Sequence, residues 1–164
     1  MCEKMREVNI IAEKLVTGLI ENNYTITTAE SCTGGMISST IVNIPGASCV
    51  LNESYVTYSN ESKERILGVN RESLDLYGAV SEEVAKEMVE GVAGVAAADC
   101  AIAVTGIAGP DGGTPKKPVG TVYAGLYFRG QIIVKRYNFS GNRYEVRCNT
   151  VKNVLSDMLE IIKK

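Results

Sequence analysis

Apolar positions recur along this chain with two periods, one near 3.6 residues and one of two. Val8, Ile11, Ala12, Leu15 and Leu19 fall on one face of a helix over residues 4–21, which Asn22 and Asn23 close. A β-branched run over 24–29 reads as a strand. Ile37, Ile41 and Ile44, spaced four and three apart, then predict a helix that Pro45 and Gly46 end. Between strand and helix lies Thr27-Thr28-Ala29-Glu30-Ser31-Cys32-Thr33-Gly34-Gly35, a strand-to-helix turn.

The same reading carries on to the C-terminus. Residues 49–58 predict a strand with Val56 and Tyr58 on one face, followed by a short helix capped by Ser59 or Asn60 and stopped by Gly68. Ser81 caps a helix with Val84, Met88, Val92 and Val95 inward, ending near Asp99. Cys100 to Val104 is apolar enough to be a strand buried on both faces. It feeds a turn-rich loop, Thr105 to Gly120, too long for a plain connector and expected to wall a site. Strands at 119–128 and 131–139 form a hairpin about Arg129-Gly130, with Val122, Ala124, Leu126 and Phe128 alternating on one face. A last helix, 142–162, turns Val151, Val154, Met158 and Ile161 inward and carries Arg143 and Arg147 near its start. Helices alternating with strands predict an α/β fold, a three-layer α/β/α sandwich with a mixed β-sheet, as a single domain over 1–164. Ser31, Ser59 and Thr105 each follow a strand, so three loops are expected to converge at the strands' carboxyl ends.

Composition narrows the chemistry. With 164 residues and 45% apolar content there is material for one core, and a net charge of −2 argues against a nucleic-acid partner held by phosphate electrostatics. No apolar run approaches the roughly 18 residues that span a bilayer, and the N-terminal segment lacks an apolar signal core, so the expectation is a cytoplasmic protein with no membrane partner. Five cysteines, at 2, 32, 49, 100 and 148, have no zinc spacing and read as reduced thiols. There is no histidine, which removes Ser-His-Asp and Cys-His catalysis within the chain. If Ser31 is a nucleophile, its base is a lysine, a tyrosine or a carboxylate.

Ser31, Thr33, Gly34 and Gly35 at a helix start leave amides available to a developing negative charge; the alternative is that Ser31 or Thr33 merely caps the helix. Lys63 falls in the first turn of its helix, where the dipole disfavours an ammonium and the pKa can drop; the alternative is a solvated lysine. A Ser-Lys or Ser-Tyr-Lys hydrolase follows, with Lys63 taking the Ser31 proton directly or through Tyr58. Cys32 and Ser59 compete as nucleophiles, Cys32 without a histidine to make its thiolate and Ser59 tied up as a cap. The chain has neither a Gly-Lys-Ser/Thr P-loop nor a Gly-x-Gly-x-x-Gly fingerprint. Arg143 and Arg147 oppose the dipole of the last helix, which points to an anionic ligand or else to solvated side chains.

Six ordered blocks, Thr28–Gly35, Tyr55–Lys63, Gly78–Ser81, Thr105–Gly113, Lys117–Val122 and Gly141–Arg143, closely resemble the C-terminal domain family of CinA, the competence/damage-inducible protein, over about residues 5–160. The resemblance implies a nicotinamide-nucleotide amidase that converts nicotinamide mononucleotide to nicotinate mononucleotide and ammonia in pyridine nucleotide salvage. It carries a catalytic set onto Ser31, Tyr58 and Lys63, nucleotide binding onto the loop from Thr105 and Gly106 to Gly113, and a Gly-Asp-Arg element onto Gly141-Asn142-Arg143. It implies no metal, no cofactor, a small nucleotide as substrate and a homodimer. On this reading Arg143, with Lys117, holds the phosphate, Glu30 or Asp111 faces the cationic pyridinium, and Thr33, Gly34 and Gly35 surround the oxyanion. Ser54 stands where many relatives have Gly, and Asn142 where Asp is usual; the chain has no room for the N-terminal domain of two-domain members. The rival from another class is a non-catalytic nucleotide-binding or regulatory module.

Overall fold

A computed structural model describes residues 3–163, with side chains from residue 6 onward; Cys2 lies outside them. The chain runs α1 (Glu3–Asn22), β1 (Ile26–Glu30), α2 (Met36–Val42), a 3₁₀ turn (Ala47–Cys49), β2 (Leu51–Val56) and α3 (Asn60–Leu67), then α4 (Arg71–Tyr77), α5 (Glu82–Ala96), β3 (Cys100–Gly106), β4 (Thr121–Phe128), β5 (Gln131–Asn138) and α6 (Arg143–Ile162). The five strands form one mixed sheet in the order β2-β1-β3-β4-β5. Strands β2, β1 and β3 are parallel, and β4 and β5 continue antiparallel.

The two-residue period of β3 sorts the layers. Cys100, Ile102 and Val104 face a core shared with α1, α2 and α6, whereas Ala101 and Ala103 face Leu67 of α3, Leu74 of α4 and the Val84, Met88, Val89 and Val92 row of α5. The result is the three-layer α/β/α sandwich the pattern predicts. Small residues on the second face let α5 sit close. A β-carbon at Gly125 would stand 2.6 Å from the Ala85 carbonyl oxygen. A β-carbon at Gly91 would stand 1.9 Å from the Leu67 carbonyl oxygen, so the C-terminal turn of α3 rests directly on α5 backbone.

Several expectations change. Helix α4 is not anticipated by the pattern, because seven residues with only Leu74 buried show no period. Val95 is 50% exposed, since α5 ends one residue later and its last turn has left the sheet. The strand expected over 49–58 starts at Leu51, after the 3₁₀ turn, and ends at Val56, so Tyr58 leaves the sheet. The hairpin turn is as predicted, with Arg129 and Gly130 both at positive φ (45° and 93°). Among the described residues no helix is long and apolar enough to cross a membrane.

Candidate active site

Three parallel strands end side by side, and the segments leaving them enclose a cavity of about 220 Å³. Ser31 and Cys32 come from the end of β1, Tyr58, Asn60 and Lys63 from beyond β2, and Thr105, Gly106 and Ala108 from the end of β3. Ala79 and Val80, between α4 and α5, and Arg143, the first residue of α6, close the wall.

Lys63 is 1% exposed, the largest fully buried side chain in the chain's described part. Ser59 caps α3, its hydroxyl accepting the Ser62 amide at 3.2 Å, and this fixes the register of the first turn. Lys63 and Leu67, four apart, are the buried residues of α3, so the lysine occupies an apolar slot of an amphipathic helix. The solvated alternative is excluded. Nζ donates to Ser31 Oγ at 3.2 Å, to the Thr57 carbonyl at 2.9 Å and to the Tyr58 carbonyl at 3.2 Å. Burial pulls its pKa below the ordinary 10.5, against weaker upward pulls from Cys32 and Glu61. A neutral amine has two N–H bonds and one lone pair. With two carbonyls taking the N–H groups, the lone pair is left to face Ser31.

The turn that presents Ser31 is held from behind by its own predecessor. Glu30 is fully buried, and its carboxylate accepts the amides of Gly35 (3.0 Å), Ile37 (3.0 Å) and Ser38 (2.8 Å) as well as the Thr28 hydroxyl (3.3 Å). Four donors saturate it. This corrects two expectations. Neither Ser31 nor Thr33 caps α2, whose N-cap is Gly35 with no side-chain bond, and Glu30 cannot face a pyridinium. It also takes up amides reserved above for an oxyanion: Gly35 N–H goes to Glu30 and Gly34 N–H to the Ser31 carbonyl. Gly34 and Gly35, at φ of 58° and 93°, are needed to turn the chain so tightly around that carboxylate. Thr33, Gly34 and Gly35 do not line the cavity. The Cys32 amide, adjoining the serine on the cavity wall, is used by no backbone or side-chain oxygen among the described residues.

The remaining candidates fall into place around this pair. The Tyr58 ring is 61% exposed at the mouth, and its hydroxyl accepts from Arg143 Nη2 at 3.1 Å; only its backbone carbonyl meets Lys63. Arg143 Nη1 also donates to the Gly109 carbonyl at 2.8 Å, so the guanidinium spans two walls. Asn142 caps α6 with Glu145 in a capping box, filling the role an Asp would have. Arg147 reaches the Thr33 carbonyl at 2.7 Å, a second brace on the nucleophile turn. Thr105 lines the cavity and donates its hydroxyl to the Ala79 carbonyl at 2.7 Å, whereas Gly106 contributes bare backbone. Lys117 and Asp111 are not brought in. The Lys117 ammonium is tied to the Tyr77 carbonyl at 2.8 Å, and Asp111 sits on the exposed arc of its loop. Of the rival nucleophiles, Cys32 is buried and its thiol pushed up to about 12, and Ser59 is spent on its cap. Asn60, named above only as an alternative cap, and Ala79, Val80 and Ala108, named only within the resemblance blocks, also line the cavity; the i, i+3 spacing of Asn60 and Lys63 on α3 is the signal that could have placed the first of them there.

Residues 8–162 match the CinA C-terminal domain. A Clostridium perfringens protein carrying the name competence-damage inducible protein is 51% identical over 146 residues, covering 89% of this chain and 35% of that protein. A Clostridioides difficile protein of the same name is 51% identical over 140 residues, covering 85% and 34%. The chain thus spans about a third of the length of these curated relatives. Among solved structures, a CinA superfamily protein from Klebsiella pneumoniae aligns with a TM-score of 0.92 at 35% identity, over 95% of this chain and 98% of that one. A competence/damage inducible protein from Agrobacterium tumefaciens aligns at 0.93 and 37%, over 96% of each.

Proposed function

The chain belongs to the CinA C-terminal domain family, and from that premise we propose that it is a serine amidase acting on the carboxamide of nicotinamide mononucleotide. The observation that carries the reading is the 3.2 Å contact between a buried lysine amine and Ser31 Oγ in a chain without histidine. Neutral Lys63 takes the Ser31 proton as Oγ attacks the carboxamide carbon. The carbonyl oxygen gains charge, which the Cys32 amide, next to Ser31 in the cavity wall, would meet. The Lys63 ammonium then returns its proton to the nitrogen, the C–N bond breaks, and ammonia leaves an acyl-serine. Water, deprotonated by Lys63, attacks that ester; nicotinate mononucleotide departs and Ser31 recovers its proton.

In this reading Tyr58 is not the proton's route, because the lysine reaches the serine directly and the phenol is engaged by Arg143. The cavity is small beside the roughly 300–1,000 Å³ of typical ligand pockets. It accommodates the ring and its carboxamide, with ribose and phosphate extending past Tyr58 to Arg143, the one guanidinium on its wall.

Ammonia release from purified protein supplied with nicotinamide mononucleotide, with EDTA present, tests the proposal. Turnover that Ser31→Ala reduces by at least about a thousandfold is expected. Folded wild-type protein that binds the nucleotide and releases no ammonia would instead be a binding module.

A further inference from the structure

The polar side chains around the cavity differ in what they have left to offer. Ser31 and Lys63 engage each other, Tyr58 and Arg143 engage each other, and Thr105 donates to the Ala79 carbonyl. Asn60 does none of this: among the hydrogen bonds of the described residues, none uses its carboxamide. It is the first residue of α3, where a polar side chain commonly serves the helix end, yet Ser59 already caps that end through the Ser62 amide. Being three residues before Lys63, it lies one turn away on the same face, and both side chains line one cavity.

We propose that Asn60 is a specificity-determining residue that accepts, through Oδ1, an N–H of the substrate's primary carboxamide. The inference rests on the amidase reading. A carboxamide carries two N–H bonds; one held by Asn60 fixes rotation about the C–N bond. When the tetrahedral intermediate forms, the nitrogen becomes pyramidal and its new lone pair must point at the Lys63 ammonium to be protonated before the C–N bond breaks. Anchoring an N–H on the Asn60 side of the cavity turns that lone pair toward Lys63. An ester has no N–H on its leaving atom and gains nothing from Asn60. The residue therefore favours primary amides over esters of the same acid.

The experiment compares nicotinamide mononucleotide with the methyl ester of nicotinate mononucleotide, in wild type and in Asn60→Ala, with Asn60→Asp as the variant that keeps an acceptor oxygen. In Asn60→Ala, kcat/KM for the amide is expected to fall by about 10- to 100-fold, carried mainly by kcat, with the ester changed by less than about threefold. Asn60→Asp should recover part of the amide rate. Equal losses on both substrates, or no loss on the amide, would overturn the role of Asn60. Wild type that turns over neither substrate would overturn the amidase reading itself, and this inference with it.

Discussion

Two charged residues are buried within reach of Ser31, and they are solvated in opposite ways. Glu30 meets four donors, three of them backbone amides of the α2 start, so every lone pair is used. Lys63 meets two carbonyls and one hydroxyl, with no carboxylate bonded to it, and burial alone pulls its pKa down. Burial by itself does not separate a structural charge from a reactive one; the inventory of partners does. The saturated group holds the turn and the under-compensated one faces the serine.

The contrast breaks most visibly at Lys63. Lys63→Met should lower kcat/KM for amide hydrolysis by about three orders of magnitude or more, since among the described residues the amine is the only base in contact with Ser31. In wild type, kcat/KM should rise with pH as Lys63 loses its proton and level off below pH 10.5. Stability follows the same group. Its folded pKa lies below its unfolded value, so the cost of the buried ammonium is full at low pH and is relieved as pH rises from the folded value toward 10.5. Chemical denaturation across that window should show this upward trend in wild type and lose it in Lys63→Met.

Glu30→Gln sharpens the other side. An amide nitrogen would replace one acceptor oxygen opposite backbone N–H groups, at about 3 kcal/mol, which is roughly 6–12 °C in Tm for a domain of this size. The pH dependence of any residual activity should be unchanged, because Lys63 keeps its contacts to Ser31, Thr57 and Tyr58. A variant with wild-type Tm and a displaced pH profile would reverse the roles assigned to the two residues.

Tyr58→Phe gives the smallest effect. It removes a hydrogen bond to Arg143 of about 1 kcal/mol and should cost about fivefold, chiefly in KM. A hundredfold loss in kcat would restore the phenol to the proton's path.

The sequence made the layers and the three converging loops readable, because the long helices carry strong periods, β3 is a continuous apolar run, and Ser59, Ser81 and Gly68 punctuate the chain. Lys63 could be placed in a first turn and suspected of a lowered pKa, but its depth depends on α3 packing across the sheet, which no local pattern encodes. The opposite error befell Glu30. Two glycines after a serine looked like open amides, and the acid that fills them lies one residue upstream, where nothing in its neighbours distinguishes an inward carboxylate from a solvated one. Helix α4 escaped notice for want of any repeat long enough to register, and Asn60 was legible only as a possible cap, since one short helix does not show which side chain faces a cavity.

The missing side chain at Gly91 sets how far the buried lysine is sunk. Because α3 rests its Leu67 carbonyl on that bare backbone, one added methyl would have to lift the helix, and Lys63 rides one turn away from the point of contact. A raised α3 admits water to the ammonium and lets its proton affinity drift back toward that of a free lysine. The downward pull on the Lys63 pKa is thus set from a neighbouring helix, by an atom that is not there.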